Sequence, residues 1–219
     1  MKKIMFNNRL GLTDSVLKRL KTKTRRIIPQ SELDRANEFQ RYYYDATFDA
    51  LSGVELLNQF FLVERIGKLP YQVGEVVAIA QSYKDAGVHS IPEEDDEFGC
   101  YDFPAEQTNG WTNKMFVRAD LMPHQIRFTD LHIERLQDIS NEDCIKEGVE
   151  VVESFAMTAS GKKNLNYYRV PIFCQSGRVL TVSGDTPREV FSSMIDRISG
   201  KGTWQSNPFV FAYEFELVK

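Results

Sequence analysis

The chain has 219 residues, with 27 lysines and arginines against 31 aspartates and glutamates and a formal net charge of −4. That balance excludes wholesale coating of nucleic acid but not a local basic patch, because salt screens charge over about 10 Å. Hydrophobic residues make up 42% of the chain and charged residues 26%, which suits a globular protein with a core of its own rather than a disordered or fibrous one.

In chain order, the opening "MKKIMFNN" carries two lysines, but its apolar run of Ile4, Met5 and Phe6 is too short for a secretory signal. Nowhere does an apolar run approach the ~18 residues of a membrane span. "LTDSVLKRL" predicts a short helix, with Thr13 as N-cap and Val16, Leu17 and Leu20 at helical spacing. The basic segment "KRLKTKTRRIIPQ" follows, from Lys18 to Gln30. Extended, it places Lys21, Lys23 and Arg25 on one face and Thr22, Thr24 and Arg26 on the other. Two readings fit: an edge strand whose lysines discourage aggregation, or an anion site in which arginine offers a fork and lysine a point charge.

Further along, "RYYYDATFDALSGVELLNQFFLVERI" suggests a strand and then a helix. "YQVGEVVAIAQSY" puts a glycine turn before a strand, Val76 to Ala80, apolar enough to be buried on both faces. "PEEDDEF", Pro92 to Phe98, reads as a solvated loop. "HQIRFTDLHIERLQDIS" reads as a strand whose apolar phase slips between Phe128 and Leu131, so a bulge is expected near Thr129 and Asp130. Ser140 then caps a short helix, Asp143 stands in capping-box position, and Gly148 ends it. "DTPREVFSSMIDRIS" has Thr186 as N-cap, Pro187 at the first helical position and Glu189 in box position. Its apolar stripe is Phe191, Met194, Ile195 and Ile198. After the loop "GKGTWQSNP", the segment "FVFAYEFEL" alternates strictly, with Phe209, Phe211, Tyr213, Phe215 and Leu217 on one face.

Few helices alternate with these strands, so a parallel βαβ sheet is not expected. The pattern predicts a mainly β, α+β chain: one domain over 1–219, a small twisted β-barrel with peripheral helices. Insertions are expected near 31–69, 84–112 and 150–183. Cys100, Cys144 and Cys174 are odd in number and widely spaced, and His89, His124 and His132 lack ligand spacing. No disulfide framework, metal or cofactor is therefore expected, and the chain reads as cytoplasmic with free thiols. Trp111 and Trp204 are candidates for stacking on bases or for anchoring loops.

These pieces together resemble the ASCH family of the PUA-like β-barrel superfamily, in its larger, often phage-borne form. "RLKTKTRR" is similar to the family's lysine-threonine-x-threonine-x-arginine signature. "YQVGEVVAIAQSY" resembles its turn and strand, and "RFTDLHIERLQDISNEDCIKEGVE" its central strand and short helix. "FSSMIDRISGKGTWQSNPFVFAYEFE" resembles the last helix, tryptophan loop and closing strand. The matched pieces cover about half of the chain and stand in the family's order.

The resemblance implies a PUA-like fold and RNA or a modified nucleoside or nucleotide as partner, with no membrane. One bacterial branch of the family hydrolyses the acetyl amide of N4-acetylcytidine, with a lysine, a threonine and a glutamate as its proposed catalytic group. Here these match Lys21, Thr24 and Glu147, and the signature arginine matches Arg26. In that scheme Lys21 is the base that activates the Thr24 hydroxyl, and Glu147 carries a proton to the leaving amine. Lys23, Arg26, Gln81, Trp204 and Asn207 are the candidates for substrate binding. Gln81 stands where larger relatives often carry an acid. The same residues suit a non-catalytic RNA-binding or nucleotide-sensing module.

Overall fold

A computed structural model of the chain describes residues 1–42, 51–64, 68–95, 99–158, 161–174 and 178–218. Its elements are β1 (Lys3–Ile4), α1 (Leu12–Leu17), β2 (Lys23–Ile27), α2 (Gln30–Tyr42), α3 (Gly53–Val63), β3 (Val76–Ile79), α4 (Tyr83–Ala86), β4 (Ser90–Asp95), β5 (Gly99–Pro104) and β6 (Gln125–Arg135). There follow α5 (Asn141–Lys146), β7 (Glu150–Val152), β8 (Phe155–Thr158), β9 (Gly161–Asn164), β10 (Tyr167–Phe173), β11 (Val179–Gly184), α6 (Pro187–Ser199), α7 (Thr203–Ser206) and β12 (Phe209–Leu217). The architecture is mixed α+β, with helix as prominent as strand, rather than mainly β.

The principal sheet has the order β1-β3-β6-β12-β2. Only β1 and β3 run parallel; the other neighbours are antiparallel. The alternation of β12 sets its faces as expected: Phe211, Tyr213 and Phe215 are buried on one side. Burying each ring contributes roughly 2–3 kcal/mol. Rings from other elements complete this inner face. Phe61 of α3 meets Phe211 edge-on at 5.0 Å, and Tyr71 stacks on Phe128 at 4.7 Å.

The expected bulge is present. Glu214 pairs with Asp130 and Phe215 with Phe128, so Thr129 is left without an opposite residue and the apolar phase is restored. The sheet curls but does not close. Among the described residues no ladder joins its edge strands β1 and β2. They are bridged instead by a side chain: Arg26 Nη2 donates to the carbonyl of Met5 at 2.9 Å.

Two local expectations are corrected. Thr13 does not cap α1; Gly11 does, at φ 64°. A single 3-10 turn, Asn8–Leu10, reverses the chain there, and the left-handed residue it needs is free of strain only as glycine. The described part of the acidic run is not a loop. Glu93 to Asp95 belong to β4, which pairs with β5 from Ser90↔Pro104 to Asp95↔Gly99. Residues 96–98 lie outside the described residues.

The expected insertions hold structure of their own. Helices α2 and α3 pack through Phe39 and Phe60, 5.7 Å apart. The strand expected ahead of the helix in 41–66 is not found among the described residues, and residues 43–50 lie outside them. Strands β7, β10 and β11 form a second, antiparallel sheet, and β8 pairs with β9. Cys144 and Cys174 are free, and Cys100 lies outside the described side chains.

Candidate functional site

Two helix ends build the site. Helix α1 stops in a left-handed turn at Arg19 (φ 60°). Leu20 N–H donates back to Ser15 O at 2.8 Å and Arg19 N–H to Val16 O at 2.9 Å. This is a Schellman closure with a non-glycine residue at its left-handed position. It turns the chain abruptly and aims Lys21 inward before β2 begins. That bend is how Lys21 and Thr24, three positions apart, come to line the same cavity.

Helix α5 ends the same way. Ser140 caps its start by accepting from Asp143 N–H at 3.1 Å. At its end Gly148 N–H donates to Ile145 O and Val149 N–H to Cys144 O. Gly148 adopts φ +109°, and a Cβ there would stand 2.9 Å from Leu12 Cδ2 and 3.7 Å from Lys21 Cδ. Glycine is thus required both for the turn and for the close approach of Leu12. Glu147, the residue just before it, faces Lys21.

Lys21 is 2% exposed. Its Nζ donates to Glu147 Oε2 at 2.6 Å, to Glu147 O at 2.7 Å and to Lys23 O at 2.7 Å. These three acceptors match the three donors of an ammonium. Burial pushes the Lys21 pKa below its ordinary value; Glu147 opposes that, and Arg26 and Arg25 add to it. The Phe6 ring lies 5.8 Å from the same Nζ.

Arg25 completes the arrangement from the other face of β2. Its Nη1 donates to Glu147 Oε1 at 3.1 Å, its Nε to Glu134 Oε1 at 2.5 Å, and its Nη2 to Asp143 Oδ2 at 2.9 Å. Glu147 therefore receives Lys21 on one carboxylate oxygen and Arg25 on the other. Burial raises the Asp143 carboxyl, but bonds from Lys23 and Arg25 outweigh it and hold the group below its ordinary range. Glu134 is likewise held low, by His132 and Arg25 against the effect of burial.

A cavity of about 400 Å³ opens over this group, within the 300–1,000 Å³ usual for small-molecule sites. Lys21, Thr24, Arg25, Arg26 and Glu147 line its polar side, and Phe6, Leu12, Met194, Ile195 and Ile198 its apolar side. Thr24 and Arg26 point to the inner face of the sheet, opposite Tyr213 and Phe211 in register. The Nε of Arg26 is buried without a hydrogen-bond partner. The cavity thus offers a ligand one buried hydroxyl and one unmet guanidinium donor beside an apolar wall.

Of the residues singled out from sequence, Lys21, Thr24, Arg26 and Glu147 are brought together. Four are not. Lys23 turns to the outer face, where its Nζ pairs with Asp143 at 2.9 Å and with Glu214 at 3.9 Å. Gln81 is buried at the end of β3 beside Met122, its Oε1 unpartnered, away from this cavity. Trp204 packs edge-on against Phe191 at 6.0 Å, under the guanidinium of Arg188. Its carbonyl accepts from Gln137 Nε2 at 2.8 Å. Asn207 is left-handed at φ 45°, and its Oδ1 accepts from Gln137 N–H at 2.8 Å. Both act as clamps between α7 and the segment after β6.

Sequence reasoning missed Glu134 and Phe6 as parts of the site, and it read Arg25 as a ligand-facing charge rather than the clamp on Glu147. Arg25 was legible only as one more charge in a basic run, because its partners lie 109 to 122 positions away. Phe6 was weighed only as part of an apolar run too short for a secretory signal.

Comparison with protein-family models, with curated proteins and with solved structures finds no match for the chain.

Proposed function

We propose that this chain is an ASCH-type, PUA-like domain that holds a modified nucleoside or nucleotide in the Lys21–Glu147 cavity and hydrolyses an acyl amide on its base, as in N4-acetylcytidine. The observation that carries the reading is the convergence of Lys21, Thr24, Arg26 and Glu147 on one cavity. The PUA-like part of the reading takes the curled sheet as a barrel left open between β1 and β2, with Arg26 spanning the gap to Met5. Among the described residues no helix is long and apolar enough to cross a membrane. The free thiols of Cys144 and Cys174 suit the cytoplasm, where RNA and its breakdown products are found.

The chemistry runs through the 2.6 Å contact between Lys21 and Glu147. A proton passes from Lys21 Nζ to Glu147 Oε2, which leaves a neutral amine and a neutral acid. The desolvation that lowers the Lys21 pKa favours this exchange. The amine takes the Thr24 hydroxyl proton as Oγ1 attacks the acyl carbon, and Arg26 donates to the developing oxyanion. Glu147 then protonates the departing amine, which restores the ammonium and carboxylate. A second proton transfer from Lys21 to Glu147 frees the amine to take a proton from water as it attacks the acyl carbon, and Glu147 returns its proton to Thr24 Oγ1.

A second reading, binding without turnover, is favoured by one observation. All three Nζ donors of Lys21 are taken, and Glu147 accepts from Arg25 as well as from Lys21. Incubation with N4-acetylcytidine separates the two. Release of cytidine and acetate supports hydrolysis. In that case Lys21→Ala abolishes turnover, and Glu147→Gln slows it by about 10²- to 10⁴-fold. Binding of the nucleoside without release supports the sensor, and absence of both defeats the assignment.

A further inference from the structure

A second cavity, of about 560 Å³, adjoins the first. The two share Met5 and Asn7 in their walls. Phe6, between them, faces both ways: its ring approaches Lys21, and its carbonyl accepts from Lys114 Nζ. The chemistry of the second cavity differs from that of the first. Arg9, Lys114, Asn8, Asn113 and Ser82 line it, with one opposing carboxylate, Asp85.

Lys114 is preset rather than loose. Its Nζ also donates to Asn8 Oδ1, at 2.8 Å, and its stem is half-buried. Burial pushes its pKa down, Asp85 raises it, and Arg26 of the first cavity lowers it further, so the two cavities share one electrostatic field. Arg9 is exposed and makes no ion pair among the described residues. A guanidinium fork, an ammonium and neutral amide and hydroxyl groups together suit a phosphate oxyanion.

We infer that the second cavity is an anion subsite that takes a phosphate attached to the ribose of the ligand whose base occupies the first cavity. The ligand straddles the Met5–Asn7 segment, with its base against Phe6 and its phosphate between Arg9 and Lys114. The inference rests on the nucleoside reading of the first cavity and names its ligand as a nucleotide rather than a free nucleoside.

Calorimetric titration of the full chain with cytidine, cytidine 5′-monophosphate, cytidine 3′-monophosphate and inorganic phosphate tests it. One of the monophosphates should bind roughly ten- to a hundredfold tighter than cytidine, the range of charge-assisted hydrogen bonds. The quantity to follow is that gain, not either affinity alone. Arg9→Ala should shrink it, and Asp85→Asn should enlarge it by removing the opposing charge. Because Lys114 also ties down Phe6 and Asn8, Lys114→Ala is a poorer probe than Arg9→Ala. Cytidine binding with no gain from either phosphate, or a gain unmoved by both variants, overturns the subsite and leaves the nucleoside reading standing. Binding of inorganic phosphate with none of cytidine keeps an anion site and defeats the nucleoside reading, and with it the straddling ligand. Absence of all binding overturns both.

Discussion

Arg25 shows how one side chain can fix a site without being its reactive group. Its guanidinium is buried and meets carboxylates from β6, from within α5 and from the α5 end. Replacing it by alanine leaves three acids with only Lys21 on Glu147, Lys23 on Asp143 and His132 on Glu134. Loss of one partner of a buried ion pair costs about 3–5 kcal/mol, so urea unfolding of Arg25→Ala should show a stability loss of that order. The same group sets an acid limit. Asp143 and Glu134 are held below their ordinary values, so at low pH the unfolded chain binds more protons than the folded one. Stability is therefore present above the unfolded carboxylate range and falls as pH drops below about 4. The urea midpoint followed from pH 7 to pH 3 should show that fall, and a smaller one in Arg25→Ala. Nearby, burial pushes the Cys144 thiol up to about 12. Alkylation of the native chain at pH 8 should therefore spare Cys144 and modify the less buried Cys174, as peptide mapping would show; equal labelling would mean that α5 opens readily.

Helix ends, more than helix bodies, place the site. Arg19 and Gly148 occupy equivalent turns at the ends of α1 and α5, one with a side chain and one without. A non-glycine residue in the left-handed region costs about 1–2 kcal/mol. Arg19 is exposed, so Arg19→Gly should stabilise the chain by about 0.5–1 kcal/mol, measured as a higher melting temperature. Gly148→Ala should do the reverse and more, because its Cβ would also press on Leu12. An unchanged melting temperature in Gly148→Ala would show that this contact relaxes freely. The glycine and the Ser140 cap were readable from sequence, as were the bulge and the whole of β12, because each rests on neighbours within a few positions. The Arg19 turn was not, since nothing in "KRLK" announces a left-handed residue. Nor was the hairpin of β4 and β5: an acidic run looks like a solvated loop, and it is pairing with β5 that holds Glu93 to Asp95 extended.

At the scale of the molecule, an α+β chain with its principal strands was legible, whereas the group of Lys21, Thr24, Arg26 and Glu147 came only with the family resemblance. What composition and spacing did not carry was the partner of each charge: Arg25 with Glu134, Lys114 with Phe6, Trp204 with Gln137. Such pairs depend on which surfaces the whole topology brings together. The topology itself has an awkward property. Strand β2 has β12 as its partner in the sheet, Thr24 opposite Tyr213 and Ile27 opposite Val210, about 180 positions further on. On a ribosome adding about 5–20 residues per second, the early strand waits roughly 10–40 s for the late one. Until then its backbone donors and acceptors are open to any neighbouring nascent chain. The segment left waiting is "KTKTRRI", whose cations repel a second copy of itself. The charge that later lines the cavity thus first serves as a guard during synthesis.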